Sequence, residues 1–344
     1  MHFELLQPLG WQPYFQQQLT LEEWERDRPA RIVDYQRSVI TVDTGEERIA
    51  LPVSMSLPAM TVGDWVLLDA DGRFLRCFTR SSLFARKAPG TAQRAQLVAA
   101  NIDTVFIVCS LNQDYSLNRI ERYLALAHEA GVEPVVVLSK ADLCTDDVEA
   151  RVAEVQALGA QLPVVAVNGL DASSVAALAP WCSAGRTVAL MGSSGVGKST
   201  LVNALVGAAV QRTAGIREDD DEGRHTTTSR SLHRIPGGGV LLDTPGMREL
   251  QLADCEQGVE DAFADIAALA QRCRFGDCSH RSEPGCAVLA AVEREEMDER
   301  RLANYHKLLR EQAQNASSVA EKRAQARAQG KRNRYAMKIK NRRD

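Results

Sequence analysis

The run Gly192-Ser193-Ser194-Gly195-Val196-Gly197-Lys198-Ser199 fits the spacing G-x-x-x-x-G-K-S without a mismatch. These residue types suit one kind of chemistry. Glycines let the chain curl until successive N–H groups point at one spot, and a helix starting there adds partial positive charge. Lys198 then reaches the outer phosphates of a nucleoside triphosphate, and the Ser199 hydroxyl, with Thr200 beside it, is placed to hold Mg²⁺ and phosphate. The flanking elements agree. Thr187–Met191 reads as a buried strand entering the loop, and 200–206 as a helix leaving it.

Two further segments bear on which nucleotide is held. Asp243-Thr244-Pro245-Gly246 follows the apolar run 240–242. An aspartate at a strand end beside a phosphate loop can order Mg²⁺ through water, and Gly246 lets a backbone N–H approach the terminal phosphate. Upstream, the apolar run 134–138 ends in Ser139-Lys140-Ala141-Asp142. This is close to the guanine-reading pattern N-K-x-D, with Ser139 where Asn is usual. The Asp142 carboxylate can accept from the two adjacent N–H donors of guanine, an edge that adenine does not present, while the Lys140 stem lies over the base. Thr226 or Thr227 would complete the metal shell once the terminal phosphate is bound.

A second kind of chemistry lies further on. Cys273, Cys278, His280 and Cys286 place three thiols and one imidazole in a short segment with glycine and proline turns between them. Cys₃His is a closed structural zinc set, and turn-linked spacing suits tetrahedral closure. The chain holds eight cysteines. Cys77, Cys109, Cys144, Cys182 and Cys255 are scattered and read as ordinary buried thiols.

The elements that position these residues alternate. Strands are expected at 104–109, 134–138, 163–167, 187–191, 231–235 and 239–242. Helices are expected at 117–130, 146–158 and 171–179. Such alternation implies an open, mostly parallel sheet with ligand at the strand C-terminal ends, where all the nucleotide motifs fall. The base-reading motif precedes the phosphate loop, the reverse of the usual order, so the domain is circularly permuted. Upstream of it, 31–80 holds five short β-rich segments separated by turns at 43–45 and 69–72, which suits a small barrel.

The permuted order, the string Gly223-Arg224-His225-Thr226-Thr227-Thr228 and the spacing C-x₄-C-x-H-x₅-C together resemble the RsgA family. The similarity spans roughly residues 31–310. The resemblance implies three parts: an N-terminal OB-fold β-barrel, a central permuted α/β P-loop GTPase domain, and a small α-helical zinc-binding domain. Mapped onto this chain these are 31–90, 95–252 and 253–315, flanked by an N-terminal extension at 1–30 and a basic tail at 316–344. It also implies GTP hydrolysis to GDP in late maturation of the 30S ribosomal subunit, with 16S rRNA as partner, by a monomer.

Charge agrees with an RNA partner only when resolved along the chain. The net charge of −4 hides a tail, 322–344, that carries +9 on a body that carries −13. A basic tail on an acidic body is an electrostatic handle for RNA or a solvated aid to solubility. Residues 1–30, with Trp11, Tyr14, Phe15 and Trp24, read either as a docking helix or as a lid on the barrel. No secretory signal is visible and no segment approaches the ~20 apolar residues of a membrane span, so a reducing cytoplasm is the expected compartment. One catalytic part is missing. GTPases often carry Gln directly after D-x-x-G, and here Met247 stands there. Slow intrinsic turnover follows, with His225 the internal candidate for orienting water; a loop-anchoring hydrogen bond is its alternative role. A GTP-binding protein with little hydrolysis and a metabolic P-loop enzyme are the competing readings.

Overall fold

The structure, a computed structural model, describes residues 3–36, 38–87, 95–210, 231–244, 247, 250, 252 and 255–313. The chain forms two compact units, Met1–Ala85 with Leu97–Leu250, and Arg86–Gln96 with Gln251–Asp344.

The first unit begins with 3-10 turns and two short helices, α1 (Pro13–Gln16) and α2 (Leu21–Arg26). Thr20 caps α2 in a reciprocal box with Glu23. Five antiparallel strands follow: β1 (Arg28–Tyr35), β2 (Val39–Asp43), β3 (Arg48–Pro52), β4 (Trp65–Leu68) and β5 (Phe74–Cys77), ordered β3-β2-β1-β4-β5. Both expected turns are made by side-chain acceptors. Asp43 takes the Gly45 N–H, and Asp69 takes those of Asp71 and Arg73. Trp11 and Phe15 seat the N-terminal segment on this sheet. Trp11 packs edge-on against Trp65 and Phe78, with ring centroids 4.7 and 5.4 Å away, so the segment is a lid on this curled sheet. Next come β6 (Leu83–Lys87) and β7 (Ala95–Ala100), a two-stranded ribbon that sequence reasoning did not foresee.

The nucleotide-type sheet comprises β8 (Thr104–Ser110), α3 (Leu117–Glu129), β9 (Glu133–Ser139), α4 (Val148–Gln156), β10 (Val164–Val167), α5 (Ala172–Val175), β11 (Thr187–Met191), α6 (Lys198–Val206), β12 (Ser231–Arg234) and β13 (Val240–Asp243). The order β10-β9-β8-β11-β13 is parallel throughout, and β12 joins β13 antiparallel. β8 and β11 are buried along their whole length, as continuous apolar runs covered on both faces must be. One helix differs from expectation. The stretch 171–179 was expected to be a single α-helix, but α5 ends at Val175 and a 3-10 helix runs on through Ala176–Trp181. Pro180 lies inside it, and its missing N–H and its ring disfavour regular α-geometry just before it. Beyond β12 the sheet continues into β1 through the single pair Asp34↔Ser231.

The second unit is helical: α7 (Glu256–Ala262), α8 (Ala264–Ala270), α9 (Ala287–Glu293) and α10 over 299–313. Arg301, on α10, forks onto Asp265 at 2.7 and 2.8 Å and lies over the Phe263 ring.

Candidate nucleotide site and metal centre

β11 delivers its C-terminal end into the phosphate loop. Gly192 leaves the strand at φ 152°, where a Cβ would collide with the Val108 carbonyl of β8. α6 starts at Lys198, so its first N–H groups face the loop. Lys198 is itself buried. Its ammonium donates to the Gly192 carbonyl at 2.8 Å and to that of Ser193, which holds the charge inside the loop. Ser194 and Gly195 form the exposed crown, Val196 is buried beneath, and Ser199 and Thr200 are half-buried at the helix start.

The base-type loop leaves β9 beside it. Ser139 ends the strand in register with Ser110 of β8 and Val167 of β10. It is 2 % exposed, and its hydroxyl donates to the Val196 carbonyl at 2.6 Å. The residue that departs from N-K-x-D therefore ties one loop to the other. Lys140 takes a left-handed φ of 56°, and Ala141–Leu143 make one 3-10 turn with Asp142 exposed on it.

A third loop was missed from sequence. Val167 pairs Ser139, so Asn168-Gly169-Leu170 emerge next to the base-type loop. Asn168 folds this loop by accepting the Leu170 N–H at 3.0 Å, and its own N–H donates to Ser174 at 2.9 Å. A Cβ at Gly169 would touch Thr200 and Leu201 of α6. The available signal was an apolar strand ending in Asn-Gly.

On the other side of β11, Leu242 pairs Ala189, which sets Asp243 half-buried beside the loop entrance. Met247 is 1 % exposed, and its N–H donates to the Thr244 carbonyl at 3.2 Å. A buried thioether in that place cannot orient water. Gly246, His225, Thr226 and Thr227 lie outside the described residues.

The four metal-type residues converge, with their ligand atoms all within 4.8 Å of one another. The Cys273 and Cys286 sulfurs are 3.8 Å apart, and His280 Nδ1 lies 3.6 and 3.4 Å from them. A tetrahedral ion with bonds of about 2.3 Å to sulfur and about 2.0 Å to nitrogen separates its ligands by about 3.8 and 3.5 Å. The set therefore fits a closed four-coordinate ion. Backbone N–H groups reach the thiols: Ala287 donates to Cys273 and Leu289 to Cys286, both at 3.4 Å. Burial pushes the Cys273 thiol up, but the Ala287 and Val288 N–H groups and its thiol neighbours outweigh it and its net shift is down. Glu283 shapes the knuckle by taking the N–H groups of Ser279, Arg281 and Ser282. The Ser279 hydroxyl, which also donates to it, and these N–H groups hold its carboxyl well below the usual range.

Among known proteins, the family model described as RsgA GTPase matches residues 77–253. A relative from Vibrio parahaemolyticus, named small ribosomal subunit biogenesis GTPase RsgA 2, is 59 % identical over 338 residues, covering 98 % of this chain and 94 % of the relative. The chain belongs to the RsgA GTPase family. A Mesorhizobium japonicum member, named small ribosomal subunit biogenesis GTPase RsgA, is 46 % identical over 316 residues, covering 90 % of each chain. The crystal structure of YjeQ from Thermotoga maritima aligns with a TM-score of 0.63 at 27 % identity, over 83 % of this chain and 98 % of that one. YloQ, described as a circularly permuted GTPase, shares the fold with a TM-score of 0.61 at 22 % identity, over 83 % of this chain and 94 % of its own. A model of ABC transporters also matches 181–339. That span includes the phosphate loop, an element common to P-loop nucleotide hydrolases. RsgA membership accounts for the permuted strand order, which an ABC match starting at 181 leaves out. Among the described residues no helix is long and apolar enough to cross a membrane.

Proposed function

We propose that this chain hydrolyses GTP to GDP and phosphate and does so in the maturation of the small (30S) ribosomal subunit. One observation carries the reading. The Ser139–Val196 hydrogen bond locks a guanine-type loop to a phosphate loop at the strand ends of a permuted sheet, in a chain of the RsgA GTPase family. In this reading Asp142 accepts from the guanine edge, and Lys140 and Ala141 line the base. The N–H groups of 193–199 and the Lys198 ammonium hold the phosphates. Ser199, Asp243 and Thr226 or Thr227 hold Mg²⁺, which offsets phosphate charge when bound. Gly246 approaches the γ-phosphate.

The Cys273/Cys278/His280/Cys286 set holds one Zn²⁺ in a structural role. Four protein ligands leave no open position for chemistry, and N–H donors favour the thiolates that zinc needs. Purified protein should carry one zinc per chain by elemental analysis. The barrel-like sheet and the basic tail 322–344 supply the 16S rRNA contacts of a cytoplasmic monomer.

The deciding experiment is GTP turnover by the purified protein alone and with 30S, 50S or 70S particles. Large stimulation by 30S alone is expected, since Met247 leaves intrinsic turnover slow and His225 or the subunit must help orient water. Stimulation by 50S or 70S but not 30S would overturn the small-subunit reading. Tight GTP binding with no turnover under any condition would favour the second reading, a GTP-binding protein, which the buried Met247 keeps in view.

A further inference from the structure

The Cys/His knuckle leaves an aromatic ring exposed. Phe275 is 42 % exposed. Among the described residues the other large exposed aromatic is Tyr14, whose hydroxyl donates to the Arg80 carbonyl and whose ring packs edge-on against Phe15. The loop that carries Phe275 is held at both ends. Residues 274–277 run between Cys273 and Cys278, two of the four converging ligands. The Phe275 carbonyl accepts the Cys278 N–H at 3.3 Å, and the Arg274 N–H donates to the Gly285 carbonyl at 3.1 Å. The Arg274 stem lies on Gly285, where a Cβ would come within 3.0 Å of it. The Arg274 guanidinium carbon stands 5.4 Å from the centre of the Phe275 ring. Next to the ring, a Cβ at Gly276 would meet nothing within 4 Å. Charge narrows the partner. Arg272, Arg274 and Arg281 are exposed on the knuckle, against Asp277 and a Glu283 carboxylate already occupied by three N–H groups. An aromatic anchor for a protein partner needs neighbours around it that exclude water. Among the described residues of this unit the other large exposed apolar side chain is Leu309, on α10. A lone ring set among guanidiniums instead suits an unpaired RNA base, which stacks on aromatic and arginine planes while cations meet its phosphates.

We propose that Phe275 and Arg274 form a stacking platform for an unpaired base of 16S rRNA, with Arg272 and Arg281 holding nearby phosphates, an inference that rests on the small-subunit reading above. The contact differs in kind from that of the basic tail. The tail attracts phosphates through charge, which salt screens and which does not depend on base pairing. A ring needs a base that has left its helix, so the knuckle separates unpaired RNA from duplex. Every base offers a π-face, so the platform accepts any of the four. The loop between the two cysteines is already fixed in place, and little ordering entropy is lost when a base settles on it.

The test measures binding of the full-length parent, Phe275→Ala, Phe275→Leu and Phe275→Trp to 30S particles, with zinc content and melting temperature taken for each. Phe275→Ala should weaken binding by about 5- to 150-fold, the range for one lost base stack. Phe275→Leu keeps apolar bulk without a flat ring and should weaken it nearly as much. Phe275→Trp should bind within about threefold of the parent. Zinc content, melting temperature and GTP turnover without 30S should match the parent in all three. A photo-crosslinking phenylalanine analogue at position 275 should join to 16S rRNA. Parental affinity in the alanine variant overturns the platform. So does a leucine variant that binds as the parent does, or a cross-link to a ribosomal protein alone, since either marks an apolar protein contact. Loss of zinc together with binding in all three variants overturns it as well, because that marks a fold role for the ring. A parent that binds no 30S removes the small-subunit reading and this inference together; a parent that does, beside an unaffected alanine variant, removes this inference alone.

Discussion

The two ends of β11 are built on opposite rules. At its N-terminal end every polar group of Thr187 is engaged. The Thr187 N–H goes to Asp103 at 2.7 Å, its carbonyl takes the Asp103 N–H at 2.9 Å, and its hydroxyl accepts from Arg31 at 2.8 Å. Arg31 is fully buried, and its remaining donors reach the carbonyls of Leu9, Gly63 and Asn101. Burial pushes the guanidinium down to about 10, with Asp103 and Asp64 pulling the other way, so it stays charged at neutral pH. Gly10 makes room, because at φ 88° a Cβ there would strike both Arg31 and Thr187. At the C-terminal end the same strand opens into a loop with an exposed crown and a lysine held on the loop's own carbonyls. A strand pinned by a saturated polar knot at one end can present unsatisfied donors at the other without drifting.

Removing the lysine should break the contrast most sharply. Lys198→Ala should cut GTP turnover by about 100-fold or more and leave the denaturant midpoint close to the parent's, because its charge serves the ligand. Arg31→Met should do the reverse. It strands three buried acceptors, those of Leu9, Asn101 and Thr187, while the Gly63 carbonyl keeps the Asn101 amide, and should cost about 3 kcal/mol or more in a urea titration. Nucleotide affinity measured under native conditions should change far less. Thr187→Val sharpens the comparison with one bond: a loss of about 1–2 kcal/mol is expected, with KM for GTP unchanged. The smallest effect tests the lid that brings Leu9, and Gln12 with its amide donating to Asp103 at 2.7 Å, to the knot. Glu23 pairs bidentately with Arg76 of β5 at 2.8 and 3.0 Å, and this bond, with the Thr20 cap, holds its carboxyl down to about 2. A depressed carboxyl contributes stability above its ordinary value near 4.5 and loses it as pH falls toward 2. Glu23→Gln should therefore cost less than about 1 kcal/mol at pH 7, since the pair is partly exposed, and the difference should vanish by pH 2.

Legibility in the sequence followed the range of the interactions. The phosphate loop and the Cys/His knuckle could be read because each is a short chain segment whose spacing dictates its geometry. β8 and β9 could be read because strands covered on both faces must be apolar without interruption. Arg31 could not. In the sequence it is merely the first residue of a β-rich stretch, and its burial exists only because Leu9, Gly63, Asn101 and Thr187 arrive from four distant places. The single helix expected over 171–179 was misread: its small, helix-favouring residues pointed to one α-helix, while Pro180 just past its end disfavours α-geometry before it, and the chain runs on from Ala176 as a 3-10 helix.

By itself, the sequence determined which residue types stand at which spacing: a glycine-rich loop ending in Lys198-Ser199, a Ser139-Lys140-Ala141-Asp142 turn after an apolar run, a Cys/His knuckle of four, and the permuted order in which they come. Those depend on side-chain type and local spacing, which need no partner segment. Only the tertiary structure decided that Ser139 ties the base-type loop to the phosphate loop, that Met247 is buried, and that β12 carries the sheet on into β1. Hydrogen-bond satisfaction and burial belong to pairs of groups far apart in the chain, so they come into being only when the chain has folded.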